Sequence, residues 1–283
     1  MTPPSVSGAI AEDRVLAALD RLPPFSPVLN KVLASLSDED VSFSELASTI
    51  ETDTVLAGTL LRIVNSPLYG RRATINSVRH AVAIIGIVKI RNLVLGLTVS
   101  RRWTAAQIPK RWSMRHFNIH SLGVALLTDT LALSMPVPYP EGGFVAGLLH
   151  DIGKLLAATA APEEFTLAMT RCEVNGMPFT EYEADQLGVR HAELSRLVLE
   201  RWNLPVPIRD AVAYHHDPAL ADGGSLNLAH LVEAADAFVT GLGFPAIQNI
   251  PARPPSDAHA VGERIEAIRG AFEAEFESLR GFL

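Results

Sequence analysis

Ionisable side chains set inside otherwise apolar segments constrain this chain more than any other feature. The stretch GGFVAGLLHDIGKLLAA, Gly142 to Ala158, has the small and aliphatic make-up of a buried helix, yet carries His150, Asp151 and Lys154 at its centre. A polar group buried without a hydrogen bond costs roughly 2–7 kcal/mol, and an isolated charge costs far more. Such a segment folds only where these groups satisfy one another or where a cation sits between them. The same demand recurs along the chain. His116 and His120 lie four apart, on one face of a helix; His191 opens HAELSRLVLERW; His215 and His216 close AVAYHHDP; Asp236 lies inside LAHLVEAADAFV. A single such histidine is more often a hydrogen-bonded core residue, so the weight rests on the set. Imidazole nitrogens and carboxylates suit Fe, Mn, Zn or similar divalent ions, and a carboxylate such as Asp151 can bridge two of them.

Helical periodicity dominates the rest of the sequence. SPVLNKVLASL, Ser26 to Leu36, places Val28, Leu29, Val32, Leu33 and Leu36 on one face. Ser42 with Glu45 makes a capping-box pattern, and Asp53 is placed to cap DTVLAGTLLRIVNS, which stops at Pro67 and Gly70. Gly86 ends NSVRHAVAIIG, and a further helix is expected from about Ile87 to Arg101. Beyond TAAQIPKRWS, which reads as a joint, helices are expected near Arg115–Leu133, Gly143–Thr159, Pro162–Val174, Thr180–Asp185, His191–Trp202, Pro207–His215, Leu226–Thr240 and Gly262–Gly281. Gly243 to His259, rich in proline, reads as a long loop. No Asn-Gly hairpin and no period-two run is present, so the expected fold is all-α.

Composition narrows the class. With 48% hydrophobic residues, the 283-residue chain can bury a sizeable core. One cysteine, Cys172, rules out an intramolecular disulfide and points to a reducing compartment. The first residues lack the basic start and apolar run of a signal peptide. Lys89 and Arg91 interrupt the most apolar region, Ala81 to Val99, which argues against a membrane span. A soluble, cytoplasmic protein is the expectation. The net charge of −7 conceals a block from Thr54 to Thr128 with eleven lysines and arginines and no acid. It either faces the acidic remainder of the chain or attracts phosphate-bearing ligands or an acidic partner. Arg71, Arg72, Arg101 and Arg102 are the candidate partner-binding residues. Nucleic acid is not expected, because no recognition motif accompanies the arginines.

The order of His120, HDIGK at 150, His191, the pair at 215 and AAD ending at Asp236 resembles the HD superfamily of metal-dependent phosphohydrolases. LPPFSPVLNKVLASL, IETDTVLAGTLLRIVNSPLYG, INSVRHAVAIIG and LPVPIRDAVAYHH together resemble the HDOD family, the HD-related output domains of bacterial signalling proteins. That resemblance, from about Leu22 to Val239, implies a helical N-terminal subdomain over residues 1–105, packed on an HD-type helical domain over 106–283. It implies metal ligands at His120, His150, Asp151 and Asp236. Similarity to the HD-GYP phosphodiesterases adds a second set at His191, His215 and His216, with Asp151 bridging and Lys154 contacting phosphate; His116 is a weaker candidate. One or two divalent transition-metal ions are implied, Fe or Mn ahead of Zn. HHDPAL is followed by ADGGSLN rather than Gly-Tyr-Pro, which weighs against hydrolysis of cyclic-di-GMP. The leading expectation is a regulatory protein that binds a signalling partner or nucleotide-type ligand. The alternative is a di-metal phosphohydrolase acting on a nucleotide or cyclic-dinucleotide phosphoester, with Asp151 orienting the attacking water and Lys154 neutralising phosphate charge.

Overall fold

The computed structural model describes residues 6–20, 31–32, 43–69, 74–102, 108–221, 224–253 and 259–282. Among these residues the protein is helical, without strands, as the periodicity requires. The helices are α1 (Val6–Leu19), α2 (Phe43–Glu51), α3 (Thr54–Val64), α4 (Val78–Ile85), α5 (Ile87–Arg102), α6 (Met114–Ala132), α7 (Gly143–Leu149), α8 (Ile152–Ala160), α9 (Pro162–Asn175), α10 (Glu183–Leu187), α11 (His191–Arg201), α12 (Val206–Ala213), α13 (Leu228–Gly241) and α14 (His259–Arg280). No single described helix is long and apolar enough to cross a membrane.

The chain forms two compact units, Met1–Pro23 with Ala105–Ala267, and Pro24–Thr104 with Ile268–Leu283. The mid-chain division falls where TAAQIPKRWS suggests a joint, but each terminal segment groups with the unit distant in sequence. Burial supplies the reason. Ala11 and Val15 of α1 are fully buried, and the helix packs on α8 and α10. At the other end Phe272, Phe276 and Leu279 are buried, Glu275 pairs with Lys89, and the Arg62 guanidinium lies 5.2 Å from the centre of the Phe282 ring.

In the smaller unit, local signals fix the helix ends. Asp53 accepts from Leu56 N at 2.9 Å, capping α3. α3 stops at Asn65, whose amide then clamps the returning chain: its Oδ1 accepts from Ile75 N at 2.8 Å and its Nδ2 donates to Ile75 O at 2.7 Å. Ser77 caps α4, which ends at Gly86 with φ 95°. The Ser26–Leu36 segment lies outside the described residues except for Lys31 and Val32, and Ser42 of the capping box also lies outside them.

In the larger unit α6 packs along α7 and α13, α8 along α11, and α12 against α11, α13 and α7. Two glycines permit close approach. A Cβ on Gly147 would lie 2.7 Å from Ala125 Cα, and one on Gly153 would lie 2.1 Å from the His191 carbonyl oxygen. The single helix expected over Gly143–Thr159 is instead two, broken at His150–Asp151. Successive residues on a continuous helix project about 100° apart. The break lets two adjacent side chains serve one centre. The stretch expected to be helical over Thr180–Asp185 divides similarly into a 3₁₀ turn at Phe179–Glu181 and the short α10. α1 has no counterpart in the sequence reading.

Candidate metal centre

Five histidines and an aspartate meet inside the larger unit. α6 supplies His120, the α7–α8 break supplies His150 and Asp151, the start of α11 supplies His191, and the turn after α12 supplies His215 and His216. His120, His150, Asp151 and His215 are fully buried and His191 nearly so. Two groups have potential ligand atoms within 4.8 Å of one another: His120, His150 and Asp151, and His191, His215 and His216.

Each fixed imidazole is held by its other nitrogen. His120 Nδ1 donates to Phe244 O at 2.8 Å, His150 Nδ1 to Gly147 O at 2.8 Å, and His215 Nδ1 to Val212 O at 2.7 Å. His191 Nδ1 lies 2.7 Å from Glu183 Oε2, which also accepts from the His191 backbone N–H at 2.8 Å. Those bonds place the proton of a neutral ring on Nδ1 and leave the Nε2 lone pair facing inward. His120 and His150 bring their Nε2 atoms to 3.3 Å, His191 and His215 to 3.4 Å, and His216 and His191 to 3.0 Å. Two lone pairs cannot hydrogen-bond to each other without a proton between them. Asp151 Oδ1 is buried 3.2 Å from His191 Nε2 and 3.9 Å from His215 Nε2, and while both rings carry their proton on Nδ1 neither donates to it; only a second proton on His191 Nε2 would satisfy it in place of a cation. Converging lone pairs beside an unsatisfied carboxylate oxygen fit a cation.

Charge inside the unit follows the same logic. Burial pushes the His150 and His215 imidazoles down to about 3, and with the neighbouring imidazoles holds His216 well below its ordinary value. These rings therefore stay neutral, the form a metal requires. Burial alone would raise the Asp151 carboxyl, but His150 and Lys154 outweigh it and hold the group well below the usual carboxylate range. Lys154 is lowered by burial and raised more strongly by Asp151 and Asp236, so its ammonium persists. Its Nζ lies 2.6 Å from Asp151 Oδ2. Burial lowers His191 as well, yet Glu183 more than compensates and its affinity for a proton is raised.

Asp236 stands at the rim, partly exposed, with Oδ1 3.4 Å from His120 Nε2. All seven expected ligands and Lys154 thus share one neighbourhood. His116 does not join them: it bonds to Ser113 Oγ at 3.0 Å and to Gln248 Nε2 at 3.1 Å. Arg71 and Arg72 lie outside the described residues, as do the side chains of Arg101 and Arg102 at the end of α5. The sequence reading missed Glu183, which sits among acids in TEYEAD with no motif to distinguish it. It also treated Gly243–His259 as loop alone. That segment is anchored by two buried groups, His120 through Phe244 O and Trp112, whose Nε1 donates to Ala246 O at 2.8 Å.

Comparison with known proteins places this architecture. The HDOD domain family profile matches residues 22–218. A crystallised HDOD domain protein of unknown function from Geobacter sulfurreducens superposes with a TM-score of 0.79 at 22% identity, covering 96% of this chain and 97% of that one. A Shewanella amazonensis SB2B protein, provisionally described as a phosphohydrolase, gives a TM-score of 0.68 at 20% identity over 94% and 98% of the two chains. At these identities the likeness is one of fold. An uncharacterized protein of Treponema pallidum (strain Nichols) is 24% identical over 230 residues, 80% of this chain and 42% of its own length. The chain therefore spans less than half of that relative. Its family match runs through both compact units and takes in six of the centre's donor residues, His120, His150, Asp151, His191, His215 and His216: the chain belongs to the HDOD domain family.

Proposed function

We propose that this HDOD protein is a regulatory module whose His/Asp centre holds a pair of divalent transition-metal ions and, through them, a phosphate-bearing small ligand. The observation that carries this reading is the set of inward Nε2 lone pairs, four of them fixed by acceptors on Nδ1, around the unsatisfied Asp151 oxygen. His120, His150 and Asp236 would hold one ion and His191, His215 and His216 the other, with Asp151 between them. The nitrogen-rich donor set with carboxylates suits Fe or Mn, and also Zn. When bound, such ions polarise phosphoryl oxygens and lower the pKa of water.

Elemental analysis of protein purified without chelator tests the reading. Wild type is expected to carry one to two equivalents of transition metal, Asp151→Ala none, and His216→Ala a reduced amount. Less than about a tenth of an equivalent in wild type would remove the proposal. Hydrolysis is a second reading, favoured by Lys154 beside Asp151 at the wall of a cleft. There the ammonium would neutralise phosphate charge, and Lys154→Ala would lower the rate about 10²–10³-fold with metal content intact. A phosphoester panel without turnover on metal-loaded protein would leave the binding role. The Arg101–Arg102 end of α5 is proposed to meet an acidic signalling partner, and capture that weakens with salt and with charge reversal there would support this.

A further inference from the structure

The centre opens onto a narrow, half-open cleft that encloses about 60 Å³ and whose polar lining is Lys154, Thr180, His216, Asp236 and Arg253. A second, wider cleft of about 540 Å³ shares Thr180, His216 and Arg253 and adds Arg190, but five acids outweigh these cations, Glu181, Glu183, Asp185, Glu193 and Asp217. An anion meeting the shared wall is therefore attracted toward the Lys154 side and repelled from the other. Arg253 carries five N–H donors. Among the described residues one of them is used, Nη2 to Asp217 Oδ1 at 2.9 Å, and that side chain is more than a third exposed. Thr180 Oγ1 on the same wall has no hydrogen-bond partner among the described residues. The rest of the cleft lining is apolar, with Pro178, Ile247, Ile250 and Pro251 among it.

We infer that Arg253, assisted by Thr180, is an outer anion-recognising subsite, so that the ligand carries two anionic groups joined through an apolar or planar body, as in a nucleoside bisphosphate or a dinucleotide. One group would meet the His/Asp centre and Lys154, the other the Arg253 fork. The assignment rests on the reading that the centre takes a phosphoester. Asp217 competes for the same guanidinium, so it tunes the subsite rather than completing it.

Calorimetric titration of the metal-loaded full chain with AMP and with adenosine 3′,5′-bisphosphate separates the outcomes without requiring turnover. The bisphosphate is expected to bind wild type about tenfold or more tightly than AMP, the worth of one charge-assisted hydrogen bond. Arg253→Gln is expected to erase that difference. Asp217→Asn is expected to enlarge it in wild type and to leave it unchanged in the Arg253→Gln background, which separates a freed guanidinium from a general change in charge. Equal affinities in wild type, or a bisphosphate advantage that survives Arg253→Gln, would overturn the subsite and leave the phosphoester reading standing. Binding of neither nucleotide to wild type would overturn both.

Discussion

Glu183 shows how a single side chain outside the ligand set can govern the centre. One carboxylate oxygen takes both the ring Nδ1 proton and the backbone N–H of His191. It thereby fixes the tautomer and closes the start of α11, where Arg190 offers no capping side chain. Replacing it with glutamine keeps the volume but removes the charge that opposes burial of His191. Partners of this kind are commonly worth about 10–100-fold in metal affinity. Glu183→Gln is therefore expected to weaken metal binding by that order in competition with a chromophoric chelator, with the helix content unchanged. An affinity within twofold of wild type would show that the Gly147, Val212 and Phe244 carbonyl bonds of the other rings suffice.

At the scale of elements, the centre exists because helices that carry its donors come unusually close. α8 and α11 meet at Gly153, where the space for a side chain is taken by the His191 carbonyl, and Gly153 N donates to Ser195 Oγ at 2.8 Å. A methyl group there must push His191 away from Asp151. Overpacking of this kind costs about 1–3 kcal/mol or more. Gly153→Ala is expected to lower the melting temperature by several degrees and to weaken metal binding with it; Gly262→Ala, where nothing lies within 4 Å, serves as the control. The same elements show what the sequence makes legible. Asp53, Gly86 and the donors His120, His150, Asp151, His191, His215 and His216 are readable because each breaks an apolar pattern or ends one. Glu183 is not, because an acid among acids breaks no pattern until the fold seals it from water. Nor is the break between α7 and α8, because the apolar periodicity of LLHDIGKLL runs through Asp151 and Gly153, and a lone glycine inside such a pattern does not by itself end a helix.

For the whole molecule, the neutral imidazoles make stability depend on acidity, and the sign follows from where protons bind. In the unfolded chain all these histidines titrate near 6.5. In the folded protein His150 and His215 are pushed down to about 3 and His216 lies well below its ordinary value, so between these limits the unfolded chain binds more protons. Stability then falls as pH falls, by about 1.4 kcal/mol per pH unit for each proton taken up only on unfolding. His191 acts oppositely: its raised value adds stability that is fully present below 6.5 and is lost as pH rises above it, so it opposes the fall only above 6.5. Asp151 contributes above the ordinary carboxylate range and loses its effect only under stronger acid, while Lys154 stays charged throughout. Three uncompensated histidines, His150, His215 and His216, remain between pH 6.5 and 5. Metal-free protein is therefore expected to melt several degrees lower at pH 5 than at pH 7.5. Metal-loaded protein is expected to show a steeper fall, because ions that bind only the folded state are released as their ligands protonate. A melting temperature that held or rose on acidification of the metal-free protein would mean that the buried rings already carry protons, and that the inward lone pairs on which the metal centre depends are not free.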